Sequence, residues 1–560
     1  MEKIKFILTT IFLILFFCSC EDYLEKYPLD QPSDKTYLSN ETEMEMAINA
    51  AHQYMWFRYI ANNSSSGYRF LDYASDIGMY RPGWGSLNVY PEGVATSESS
   101  IFSRTWGDFY RGIAQCNYIL DNMERGKDNV SEEFYDRIRG QALFLRSFYY
   151  FYLTELYGDV PLVITGLNME EALMPRTPKS QVVDQILADL DLAYNLLPIE
   201  WPAKDVGRET KGAVLTLKAR TALFNGRYSI AAQAAQAVMD MSKYSLYPDY
   251  DKLFLYEGMR NQEVILDLPY QLGVKTSRHM MFSGPRNVGC WCLTYPTLDL
   301  IDSYECTDGQ TIDKSSLYDP SHPFNNRDPR LDMTVIREGT MYGGYVWNHH
   351  PDSIMTSYYD AAGNHSLVTN YEVTKGIYAS RTGYNTRKAF DEADISQKNE
   401  SELNFILMRY AEVLLMYAEA KIELNDIDGT VYDAINQVRQ RPGVNMPVIT
   451  PGKTQAELRD ILRRERKIEL AFEGFRMFDI HRWKIAEYVM NISVLGKRLT
   501  DEWWTPLTPT FDEYGHHHYI DEDQYFNIAT TRTFSTNDYL WAIPQKEIDI
   551  NNKLVQNPGY

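Results

Sequence analysis

Residues 211–241, KGAVLTLKARTALFNGRYSIAAQAAQAVMDM, decide the fold. Two stretches with apolar residues at helical spacing, Lys211 to Asn225 and Tyr228 to Met241, are separated by one strong breaker, Gly226. So short a break folds two helices back on each other, and the segment reads as an antiparallel helical hairpin. The same grammar extends upstream. Thr177-Pro178 opens a helix whose apolar face is Val183, Ile186, Leu187, Leu190 and Ala193, ended by Pro198. Ser131 to Tyr157 aligns Ile138, Ala142, Leu145, Tyr149, Tyr152 and Leu156, and stops at Gly158. Trp106, Phe109, Tyr110, Ile113, Leu120 and Met123 mark an earlier helix. Asn40, with Glu43 three residues on, caps a first one through Met44, Ala47, Ile48, Ala51 and Met55. The pairing returns late, as Asn404 to Asn425, a turn through Asp426 to Gly429, Val431 to Gln440, and Thr454 to Phe472. Helix pairs with one-turn connections predict a mainly α fold and suggest a tetratricopeptide-like helical-hairpin solenoid, but no repeat of about 34 residues is legible in the text, so the repeat itself rests on the family resemblance given below. From Tyr244 to Lys398 the pattern dissolves into short apolar pieces between Gly, Pro, Asn and Asp, which read as loops and hairpins, partly β, packed on the helical frame.

The 560 residues are 44% hydrophobic and 23% charged, as in globular proteins, and the net charge of −21 repels phosphate backbones, so nucleic acid is excluded as a partner. Aromatics reach 14%, with 42 Tyr, 24 Phe and 10 Trp, more ring surface than a core of this size needs. Met1 to Lys5 carries two lysines, and the apolar run Phe6 to Phe17 closes on Cys18-Ser19-Cys20. That is a secretory signal, too short to span a bilayer at ~20 residues. Its end resembles a bacterial lipobox, with Cys20 as the acylated residue, and Glu21-Asp22 resembles the signals that send Bacteroidetes-type lipoproteins to the outer face of the outer membrane. The remaining cysteines, Cys116, Cys290, Cys292 and Cys306, allow three disulfide pairings, and the single residue between Cys290 and Cys292 is too few for a structural zinc pair. The chain divides into a signal peptide (1–19), a lipid anchor and tether (20–39), a helical-repeat part (40–243), a loop-rich ligand-binding part (244–400), a helical completion (401–485) and a C-terminal irregular segment packed on the frame (486–560).

Four blocks carry a family resemblance: Arg146-Ser-Phe-Tyr-Tyr-Phe-Tyr-Leu153 ahead of Tyr157-Gly-Asp-Val-Pro-Leu162; Arg409-Tyr-Ala-Glu-Val-Leu-Leu-Met-Tyr-Ala-Glu-Ala420; Arg464 through Glu469-Leu-Ala-Phe-Glu-Gly474 to Trp483; and Ile543-Pro-Gln-Lys-Glu-Ile548 with Gln556-Asn-Pro-Gly-Tyr560. Together with the N-terminal cysteine they resemble the SusD/RagB family of outer-membrane lipoproteins, nearly from end to end. The resemblance implies four helical-hairpin repeats and a surface-exposed, non-catalytic protein. Such a protein captures an oligo- or polysaccharide and sits on a TonB-dependent, SusC-like transporter that imports it. The blocks themselves read as frame: Tyr410, Val413, Leu414 and Tyr417 form one stripe, and Glu469, Glu473, Arg476 and Asp479 are expected in a buried ion network fixing the last helix.

A sugar offers apolar C–H faces and a rim of hydroxyls, so its site wants exposed Trp or Tyr beside Asp, Asn or Arg. Tyr68 to Tyr90 is the densest such mixture, with Asp72, Asp76, Tyr80, Arg81, Trp84, Asn88 and Tyr90 among Gly78, Gly83 and Gly85. In the family it resembles, the loop after Ser75-Asp76 supplies ligand contacts. Trp291 and Tyr295, then Tyr342, Tyr345 and Trp347, then Tyr358 and Tyr359 form a second set. His516-His-His518 is read as a solvated loop, because three consecutive imidazoles cannot converge on one metal; no metal and no cofactor are expected. No Gly-x-Ser-x-Gly elbow, His-Glu-x-x-His or phosphate-binding glycine loop is present, which argues against an enzyme. A glycoside hydrolase and a peptide-binding scaffold are the competing classes.

Overall fold

The computed structural model describes residues 37–58, 66–83, 86–168, 170–374, 378–498 and 507–560. The expected signal, the expected anchor at Cys20 and most of the expected tether lie outside them. Among the described residues before Tyr244, seven α-helices form: α1 (Glu41–His52), α2 (Tyr68–Tyr73), α3 (Ser100–Asn122), α4 (Glu132–Tyr157), α5 (Lys179–Leu196), α6 (Lys211–Phe224) and α7 (Tyr228–Asp240). Their ends follow the expected signals. The Asn40 side chain accepts the Glu43 N–H at 3.1 Å, and Gly226 takes φ +69° in the α6–α7 turn, a left-handed conformation that suits glycine. α3, α4, α5 and α6 each pack on the next in chain order, and α1 lies on α3.

α8 (Leu298–Ser303) stands in the irregular middle, followed by α9 (Tyr410–Glu423), α10 (Gly429–Arg439), α11 (Gln455–Glu469) and α12 (Arg476–Arg482). α9 packs directly on α7 and carries α10 and α11, so the late helices complete the stack begun by the early ones. The fold is mainly α, as expected, with one boundary corrected. Phe405–Arg409, read above as the start of a helix, is a strand paired antiparallel with Val264–Leu268. A short apolar run fits either element by periodicity, and the available partner strand decides it. Between Tyr244 and Lys398 the chain forms small sheets; the largest among the described residues is a four-stranded antiparallel meander from Met341 to Thr369. No helix among the described residues is long and apolar enough to cross a membrane.

One apolar core runs from Leu38 through the helices to Leu554. The expected ionic residues are buried and paired, but in separate groups. Arg409 bonds Glu263 (2.8 Å), Glu469 (2.7 Å) and Glu473 (2.6 Å), whereas Asp479 pairs with Arg466 and Arg482, and Arg476 with Asp76. Cys116, Cys290, Cys292 and Cys306 are buried free thiols.

Candidate functional site

β1 (Gly78–Tyr80) pairs antiparallel with a strand at Thr294–Pro296, placing Met79 opposite Tyr295. That pairing delivers Arg81, the residue after β1, beneath the loop that precedes Thr294. The Arg81 N–H donates to the Leu293 carbonyl at 2.8 Å. Its guanidinium Nη2 donates to the carbonyls of Trp291 (2.6 Å), Cys292 (2.6 Å) and Tyr378 (3.0 Å), and Nε donates to the Tyr295 hydroxyl at 3.2 Å. Tyr295 in turn donates to the Ala379 carbonyl at 3.3 Å. One buried cation thus ties three segments distant in sequence: 78–81, 291–295 and 378–379.

Two rings leave the surface from those tied backbones. Tyr378 is 42% exposed, with the Arg81 and Arg286 guanidinium carbons 5.2 and 5.7 Å from its ring centre. Trp291 is half-buried, edge-on to Phe282 at 5.1 Å, with Arg278 5.6 Å from its ring centre. Arginine beside an aromatic face adds electrostatic attraction. A polar brace lies behind. Glu372 accepts the Asn287 N–H at 2.8 Å, and Asn287 Oδ1 accepts the Tyr371 N–H at 2.7 Å. Asn370 Nδ2 donates to the Asn348 and Ser353 carbonyls. Burial pushes the Glu372 carboxyl up to about 7.

The other sequence-expected residues sit differently. Trp84 lies outside the described residues. Asp72, Asp76, Tyr80, Arg81, Asn88, Tyr90, Tyr295 and Trp347, expected at a wet surface, are buried and engaged with the frame. Asp72 accepts the N–H groups of Gly474 and Arg476 at 2.8 Å each. Asp76 is 1% exposed in a two-point pair with Arg476. Burial works against its charge, but Arg476 and Lys467 hold its carboxyl below the usual range. Tyr80 packs on Phe70 and Tyr73. Asn88 donates to Glu92, and the Tyr90 hydroxyl meets His481 and donates to the Asp538 carbonyl. Trp347 is 2% exposed in a small core with Met280, Ile336, Tyr342 and Phe390, its Nε1 donating to the Gly383 carbonyl at 3.0 Å. Tyr345 does reach the surface region, beside Tyr358 at 4.6 Å on the meander, where Tyr358 and Tyr359 line an open recess of about 820 Å³. Sequence reasoning missed Tyr378, Arg286 and Arg278. The available signal was a tyrosine two residues after Gly376 in a stretch with neither helical nor alternating pattern.

The chain belongs to the SusD family. The family model described as "SusD family" matches residues 255–560, and one described as "Starch-binding associating with outer membrane" matches residues 22–223. Among curated relatives, a SusD-like protein of Formosa agariphila, P25, is 26% identical over 90% of this chain and 94% of its own length. Among solved structures, a SusD-like carbohydrate binding protein of Bacteroides fragilis superposes with a TM-score of 0.80 at 30% identity, over 93% of this chain and all of that one. A laminarin binding SusD-like protein shares the fold at 20% identity, with a TM-score of 0.65 over 93% of this chain and all of that one.

Proposed function

We propose that this protein is a cell-surface lipoprotein, anchored through Cys20 in the outer membrane, that binds an oligo- or polysaccharide without catalysis and passes it to a TonB-dependent, SusC-like transporter. The observation that carries the reading is the Arg81 hub: one buried guanidinium fixes the backbones from which Trp291 and Tyr378 present their rings. Half-exposed rings on tied backbones, flanked by guanidinium groups, offer what a sugar face and its hydroxyls need. Arg81 is then a positioning residue, and Trp291, Tyr378 and Arg286 are the contacts; Tyr345 and Trp84 are secondary candidates. Family membership and the carbohydrate-binding neighbour in Bacteroides fragilis support the ligand class.

The test is retention on a glycan panel. Retention of one glycan without released products is expected, and Trp291→Ala or Tyr378→Ala is expected to weaken it by about 1 kcal/mol or more, the scale of a lost stacked ring. Released oligosaccharides would identify a hydrolase, and indifference to every glycan would point to a protein-binding scaffold.

A further inference from the structure

The histidine run is not a solvated loop. Thr510–Phe511 and His517–His518 form a tight antiparallel hairpin, closed by Asp512 Oδ1 accepting the N–H groups of Tyr514 and His516 at 2.9 Å each. Strand alternation separates the last two imidazoles: His517 turns inward, while His518 stays exposed on Asp512. His516, at the end of the turn, is buried as well. Both inward rings face α8, where Asp299 and Asp302, three residues apart, share one side.

We propose that Asp299, His516 and His517 form a binding site for a zinc-class divalent transition-metal ion. One carboxylate oxygen of Asp299 and one ring nitrogen from each histidine lie within 4.8 Å of one another, in a fully buried group. Two observations favour a cation over simple ion pairing. First, His516 Nδ1 lies 2.8 Å from Asp299 Oδ1 without a well-formed hydrogen bond. An edge-on pair of donors suits a metal lying between them. Second, His517 Nδ1 lies 2.6 Å from Asp302 Oδ2, which the Tyr519 hydroxyl also contacts at 2.8 Å. A carboxylate that accepts the N–H of one ring nitrogen leaves a lone pair on the other and orients the imidazole, the usual support behind a metal-bound histidine.

The donor set selects the metal. Two imidazoles and one carboxylate suit zinc, nickel or copper, whereas calcium and magnesium want six or more oxygens. Lys467, whose ammonium pairs with Asp299 Oδ2, leaves Oδ1 as the oxygen for the ion. Lys467 also lines, with Ser303 and residues 511–515, a neighbouring cavity of about 460 Å³. A bound ion would clamp the hairpin to α8.

The experiment uses the tag-free protein, stripped with a chelator and titrated with Zn(II) by calorimetry and with Co(II) by visible absorption. One equivalent is expected to bind, with the Kd raised at least tenfold by His516→Ala and by His517→Ala and about 10–100-fold by Asp302→Asn, while His518→Ala leaves it unchanged. Failure of the stripped wild-type protein to take up either metal would overturn the proposal. So would an equal loss in His518→Ala, which would mark chelation by an exposed histidine run. Should the His→Ala variants not fold, the wild-type, Asp302→Asn and His518→Ala titrations decide the matter alone.

Discussion

Glu372 is the residue in the candidate site whose charge the fold controls most directly. It is buried behind the ring-bearing loops, with the Asn287 N–H on one oxygen, and burial lifts its carboxyl from the usual 4.5 to about 7. The folded protein therefore keeps a proton that the unfolded chain has already released. The resulting stability is complete below about pH 4.5 and is lost as pH rises through about 7, a change of roughly 3 kcal/mol at most. Glutamine has the shape of the protonated acid and cannot ionise. Glu372→Gln is accordingly expected to be near neutral at pH 5 and to gain on the order of 1–3 kcal/mol relative to wild type at pH 8. Urea unfolding at the two pH values reads the difference; a difference that stays constant with pH would mean the carboxylate is already charged in the fold.

At the scale of elements, glycines set how closely the helices approach. A Cβ on Gly112 of α3 would lie 2.4 Å from the Tyr149 ring of α4, and one on Gly212 of α6 would lie 2.2 Å from the Tyr244 hydroxyl oxygen. Tyr149 cannot retreat easily, because it is buried and donates to the Ala51 carbonyl at 2.6 Å. Alanine usually improves a helix interior by about 1 kcal/mol over glycine, but overpacking costs about 1–3 kcal/mol. Gly112→Ala is therefore expected to lower the Tm. Gly107→Ala on the same helix, whose nearest neighbour is the end of Arg111 at 3.9 Å, is expected to raise it. A rise in both melts would show that the α3–α4 contact yields.

At the scale of the molecule, the C-terminal segment locks the first helices. The Trp541 N–H donates to the Leu156 carbonyl at 2.7 Å, and the indole stacks on Phe102 at 4.8 Å and meets Tyr157 edge-on at 5.8 Å. Asn557 Nδ2 donates to the carbonyls of Tyr157 and Trp541. Trp541→Ala is expected to cost about 3–5 kcal/mol and to lose hydrogen-exchange protection in α3 and α4 as well as in the tail. Loss confined to residues near 541 would mean that the segment is an appendage.

The sequence by itself determined what local periodicity and chain breakers control. Helical stripes, caps and Gly226 placed the helices, and the frame blocks carried the family resemblance, because a helix records its own hydrogen bonding every three to four residues. It also marked Tyr68 to Tyr90 as a segment of consequence, but not that Asp72, Asp76, Tyr80, Arg81, Asn88 and Tyr90 would be buried. Only tertiary structure decided that Asp76 faces Arg476 across 400 residues and that Trp347 enters a small core. Tertiary structure likewise turned two of three neighbouring histidines inward and joined Arg81, Trp291 and Tyr378. Exposure and convergence depend on which distant segments close over a residue, and in irregular loops no periodic signal encodes that closure.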